Sequence, residues 1–160
     1  MRRLARALAI GALVMVGSPG CSRSKADMVE DARNDVATLQ KLVTLQPVPV
    51  EARWSLDPIG KDNGFGPTDR ALWAVVRYSA ADAATIARAL EAAPATPPVT
   101  VAAPPAWLLA DVDLGRYRGG EDYVFDGAVS NGRPFASSLY STGFAMTLPD
   151  RRVLIHFSSR

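Results

Sequence analysis

Phe144-Ala-Met-Thr-Leu-Pro-Asp-Arg-Arg-Val-Leu-Ile-His-Phe157 decides the fold class of this chain. Phe144, Met146 and Leu148 recur at every second position, as do Val153, Ile155 and Phe157, and Pro149-Asp150 between the two runs supplies turn chemistry. Side chains of a strand alternate between faces, so each run is a strand with one apolar face and together they make a β-hairpin. Working upstream, Asp122 to Asp126 suits a further strand. Asp126-Gly127 and Asn131-Gly132 mark turns, and Pro134 to Tyr140 fits one short helix.

The period changes nearer the N-terminus. Ala71 to Val76 is apolar on both faces, which predicts a central strand, whereas Val48, Val50, Ala52, Trp54 and Leu56 alternate with polar residues. Pro49 lacks an N–H, which places that first strand at an edge or marks the strand's start. Ser79 and Asp82 have the spacing of a capping box, followed by an apolar stripe of Ala83, Ile86, Ala87 and Leu90, which predicts a helix ending near Ala93, before Pro94. Val29, Ala32, Val36, Leu39 and Val43 recur at three- and four-residue steps, which predicts an amphipathic helix over 27–43 packed on its own domain. Five prolines between Pro94 and Pro105 read as a stiff extended connection at the surface. The expected fold is α+β: a four- or five-stranded, mostly antiparallel sheet with two amphipathic helices on one face, forming one domain over residues 27–160.

The first 20 residues have the three parts of an export signal: Arg2, Arg3 and Arg6, then an apolar stretch from Ala7 to Val16, then Gly17-Ser-Pro-Gly20 before Cys21. The apolar stretch is well short of the roughly 20 residues that a transmembrane helix needs. Gly20-Cys21 resembles a bacterial lipobox, with Ser18 standing where an aliphatic residue is usual. The resemblance implies cleavage after residue 20, acylation of Cys21 with fatty chains such as palmitate, and a tether over 21–26. Ser22 after the cysteine implies the outer membrane of a Gram-negative cell. Ser18 and Gly20 equally suit an ordinary signal peptidase, which would give a secreted or periplasmic product.

Cys21 is the only cysteine, so no internal disulfide exists for it, and acylation would remove an exposed thiol. Two or three acyl chains hold a protein on a bilayer far more firmly than one. Removing residues 1–20 takes three of the 18 basic side chains and none of the 16 acidic ones, which leaves a net charge of −1. A nucleic-acid partner thereby loses its electrostatic support, and Arg116, Arg118, Gly119 and Gly120 form a single RGG-like copy without basic surroundings.

The loop Gly60-Lys-Asp-Asn-Gly-Phe-Gly-Pro-Thr-Asp69 combines glycines, oxygen ligands and an aromatic between two strands. Asp62, Asn63, Phe65 and Asp69 are its candidate recognition residues, set against the plainer reading of a structural turn. Pro67 and the strand that follows argue against a phosphate cradle. Asp57, Asp62, Asn63 and Asp69 lack the spacing of an EF-hand calcium loop. The run Gly66-Pro-Thr-Asp69 before an apolar strand is similar to small bacterial envelope lipoproteins, a resemblance that implies an address and no particular activity.

His156 is the sole histidine, which excludes a histidine-based metal cluster; it is expected to point away from Ile155 and Phe157, solvated or capped. No G-x-S-x-G elbow accompanies it. Asp111 with Asp113, or Glu121 with Asp122 and Asp126, are the acid pairs that a glycosidase would need, against the plainer reading of solvated loop acids. Trp54 and Trp73 fall on strand faces expected in the core, while Trp107 is open to either assignment. With one histidine and an acylated cysteine, no transition metal or organic cofactor is expected. The functional expectation is a non-catalytic, envelope-anchored module that binds a protein or an envelope component. A periplasmic hydrolase with an acidic site and an envelope inhibitor or immunity protein are the alternatives.

Overall fold

The computed structural model describes residues 32–59, 69–126 and 129–159. Residues 1–20, read above as an expected export signal, Cys21, the first residues of the expected 27–43 helix, and Asp62, Asn63 and Phe65 lie outside the described residues. In chain order the elements are α1 (Val36–Leu42), β1 (Glu51–Pro58), β2 (Arg70–Arg77), α2 (Ala80–Ala92), β3 (Val99–Val101), α3 (Ala106–Asp111), β4 (Arg118–Gly119), β5 (Asp122–Phe125), β6 (Ser130–Asn131), β7 (Thr142–Leu148) and β8 (Arg152–Ser158). Short 3₁₀ turns at Gly115–Tyr117 and Arg133–Phe135 complete the set.

A five-stranded antiparallel sheet has the order β1-β2-β8-β7-β6, and a three-stranded antiparallel sheet has the order β3-β5-β4. The fold is α+β as the sequence implied, with β1 at an edge and β2 inside the sheet. β7 and β8 form the expected hairpin. Its turn places Asp150 and Arg151 at φ 60° and 62°, and the Arg152 N–H donates to the Pro149 carbonyl at 3.3 Å.

That turn sets a register in which Phe144 faces His156 and Met146 faces Leu154. Cross-strand partners share a face, so the two apolar alternations of the hairpin are out of phase. Phe144 and Met146 look to one side of the sheet with Leu154, and Val153, Ile155 and Phe157 look to the other. Both faces are therefore core. On one, Trp54, Leu72, Ala74, Val76, Ile155 and Phe157 pack against Leu39 of α1 and Ile86 and Leu90 of α2. On the other, Trp73, Val75, Phe144, Met146 and Leu154 pack against Trp107 and Leu108 of α3 and Tyr123 and Phe125 of β5. The two helices expected on one face are there, and a third helix and a second sheet cover the opposite face. Each large side chain so buried contributes about 1.5–3 kcal/mol.

Two local boundaries differ from expectation. Within the described residues, the first helix begins at Val36. Arg33 instead exchanges backbone hydrogen bonds with Trp54 of β1, at 2.7 and 2.9 Å, and Asp35 then caps α1 by accepting from the Thr38 N–H at 2.8 Å. Pairing to the sheet edge thus competes successfully with continuation of the amphipathic stripe. β1 starts at Glu51, and Val48 and Val50 are exposed. The capping box of α2 is present, with Ser79 Oγ accepting from the Asp82 N–H at 3.2 Å and donating to Asp82 Oδ2 at 2.6 Å. The Pro-rich connection holds β3, whose three residues pair with Val124 and its neighbours in β5.

Candidate functional site

The covering layer on the α3 side does not close over the whole sheet. Between the ends of β1, β2 and β8 on one side and β3 with the start of α3 on the other lies a cleft of about 710 Å³. That volume suits a small organic ligand. Its walls are largely apolar, with Ile59, Ala71, Val99, Val101 and Ala106 among them, and Trp73 and His156 are at its base.

Strand alternation places the polar groups. Arg53, Ser55 and Asp57 fall on the same face of β1, opposite to that of Trp54. Ser55 is fully buried. Its hydroxyl accepts from Trp107 Nε1 at 3.0 Å and donates to Asp57 Oδ2 at 2.7 Å. The Arg53 guanidinium lies 5.2 Å from the Trp107 ring centre and so helps fix that indole. The relay holds one oxygen of Asp57, while Oδ1 accepts no hydrogen bond among the described residues. Partial burial pushes the Asp57 carboxyl above its ordinary range, and the Ser55 hydroxyl opposes that rise by stabilising the anion.

His156 points away from Ile155 and Phe157, and of the two expected states, solvated or capped, it is the capped one: it is 6% exposed and bonded to a backbone carbonyl. The β2–β8 register sets it opposite Trp73, on which it stacks at 4.0 Å between ring centres, and the β7–β8 register sets it opposite Phe144, 5.1 Å away. Nδ1 is 3.2 Å from the Leu72 carbonyl oxygen, so the neutral ring carries its proton there. Burial lowers its pKa to about 4, against the opposing pull of that carbonyl. The imidazole is neutral at neutral pH.

The acid pairs considered from sequence lie elsewhere. Asp111 forms an ion pair with Arg152 at 3.4 Å, and Asp113 accepts from the Gly115 N–H at 2.9 Å. Glu121, Asp122 and Asp126 are exposed around β5. None of these five lines the cleft. Asp57 and Asp69 do line it, the first and last of the four residues weighed as a calcium set; no metal-ligand cluster occurs among the described residues. Asp69 also accepts through its carbonyl from the Ile59 N–H at 2.7 Å, which ties the two ends of the intervening loop together at the cleft rim.

Trp54 and Trp73 are core as expected, and Trp107 joins them, its indole N–H satisfied by Ser55. The Trp107–Ser55–Asp57 relay escaped sequence reading. Its one local signal is a Ser-x-Asp pair on the same strand face in β1, next to a strand buried on both sides. No family model, curated protein or solved structure matches the chain.

Proposed function

We propose that this chain is an envelope lipoprotein in which lipid on Cys21 tethers a non-catalytic binding module to the membrane. The observation that carries the binding role is the cleft over Trp73 and His156. It combines an apolar surface with one positioned carboxylate, the composition of a site that orients a ligand. A hydrolytic role is less well supported. His156 has its Nδ1 committed to a carbonyl and a pKa far below neutral, which makes it a weak base. The acid pairs that would serve a glycosidase are held in an ion pair, in a turn, or at the exposed surface. An inhibitor or immunity role would use a flat apolar patch, and the exposed Val48, Val50 and Leu139 are separate from the cleft lining.

The tether follows from the basic, apolar and small-residue order of residues 1–20 ending at a lone cysteine. Mass spectrometry of the mature N-terminus tests it, with acylated Cys21 as the expected first residue. Crosslinking in cells through a photoreactive residue at exposed Ala103, on the cleft wall, tests the binding role. Specific adducts at Ala103 that are absent at a remote exposed position such as Arg88 are expected. Equal labelling at both positions would refute the cleft as the binding site.

A further inference from the structure

The charge of the cleft selects among ligands. Of the described residues that line it, the charged ones are Asp57 and Asp69, and neither lysine nor arginine is among them. His156 adds no charge at neutral pH. Asp57 is half-buried, has one oxygen locked by the Ser55–Trp107 relay, and keeps Oδ1 free of hydrogen bonds within the described chain. Among the described residues no counter-charge meets this partly desolvated carboxylate, and either a cation or a proton relieves it. Arg53, the nearest cation along β1, is four residues away and engaged with the Trp107 ring. The walls beside Asp57 are apolar and aromatic. Low-dielectric walls strengthen attraction of a cation to the carboxylate and equally strengthen repulsion of an anion.

We infer that the cleft takes an organic ammonium ligand with a flat apolar body, the ammonium held by Asp57 Oδ1 and the body lodged against Ala71, Val99 and Val101. The relay supplies preorganisation. Because Ser55 holds Oδ2 in place, the carboxylate is already oriented when the ligand arrives, and little side-chain freedom is lost on binding. Trp73 is itself covered by the stacked His156 ring, so the apolar contact falls to the side chains of the cleft walls. Fatty acids and phosphorylated lipids, the anionic molecules abundant at a membrane, are excluded by the same charges.

The inference rests on the binding-module reading, and the test below bears on ligand class alone. Acylation of Cys21 and crosslinking at Ala103 report on the tether and the site independently. Isothermal titration calorimetry compares two probes of similar shape and opposite charge, tryptamine and indole-3-propionate, added to the full mature chain in a neutral detergent. Tryptamine is expected to bind at least 10-fold more tightly. Asp57→Asn keeps the size of the side chain and is expected to reduce tryptamine affinity 10-fold or more, to the level of the anion, with the melting temperature held. Equal binding of the two probes, tighter binding of the anion, or no heat from tryptamine at millimolar concentration would overturn the inference. So would an unchanged preference for tryptamine in a folded Asp57→Asn protein. If that variant does not fold, the wild-type comparison of the two probes decides alone.

Discussion

Acidification to pH 4 should destabilise this protein through His156 alone by about 2–3 kcal/mol. The folded pKa of about 4 lies below the ordinary 6.5. Between those values the unfolded chain carries a proton that the folded chain refuses, so the contribution is fully present above pH 6.5 and is lost as the pH falls toward 4. With those two values, the linkage relation gives a loss of about 2 kcal/mol between pH 7 and pH 5, and about 3 kcal/mol by pH 4. The Trp73 face under the ring attracts an imidazolium by about 0.5–1 kcal/mol, which trims the total toward the lower figure. Asp57 acts in the opposite sense: its raised pKa means that protonation on acidification favours the folded state. Urea unfolding followed by tryptophan fluorescence at pH 7, 5 and 4 isolates the histidine when wild type is compared with His156→Gln. Glutamine keeps an N–H for the Leu72 carbonyl and cannot titrate, and every carboxylate is common to both proteins. The wild type should lose 2–3 kcal/mol more than the variant between pH 7 and pH 4. Parallel pH dependence in the two would refute the assignment of a buried, neutral His156.

Gly143→Ala should be among the most damaging substitutions in the sheet, because a Cβ there would lie 2.0 Å from the His156 carbonyl oxygen and 2.5 Å from the Phe157 ring. A loss of about 3 kcal/mol or more is expected in chemical denaturation, where a near-neutral result would contradict the observed β7–β8 spacing. Trp107→Phe removes the donor to the buried Ser55 hydroxyl and should cost about 1–3 kcal/mol. It should also weaken tryptamine binding by loosening Asp57, and unchanged binding would show that the relay does not position the carboxylate. Ser79→Ala removes the cap of α2 and should cost about 1 kcal/mol by thermal melting. Cys21→Ser should shift the protein from the membrane fraction to the soluble fraction or block its processing, and unmodified wild-type protein found wholly in the soluble fraction would sink the lipid tether.

Periodicity carried much of the architecture. The alternations at 144–148 and 153–157, the doubly apolar run at 71–76 and the Ser79–Asp82 cap are local consequences of side-chain direction and backbone hydrogen bonding, and each is legible without knowledge of the neighbours. The start of α1 was not, because Arg33 pairs with Trp54 about twenty residues on, and a periodic stripe contains no record of a competing partner at a sheet edge. The burial of His156 was not legible either. The side chain points away from Ile155 and Phe157 in any register. Its burial depends on the cover that α3 and β5 place over that face and on Phe144 opposite it, a pairing set by a turn whose two left-handed residues, Asp150 and Arg151, are not glycines that would announce it.

The α+β class, the hairpin, the central β2 and the capped α2 are legible in the chain alone, because those depend on residues a few positions apart. The basic, apolar and cysteine-terminated order of the first 21 residues is likewise a property of the linear string. That both faces of the sheet are covered, and that Trp107 joins Ser55 and Asp57 in one relay across 52 residues of chain, emerges only when distant segments pack together. The cleft belongs to that second kind of information. It lies where β3 and the start of α3 stand off from the ends of β1, β2 and β8, an outcome of how the two layers pack together that no local pattern in the chain encodes.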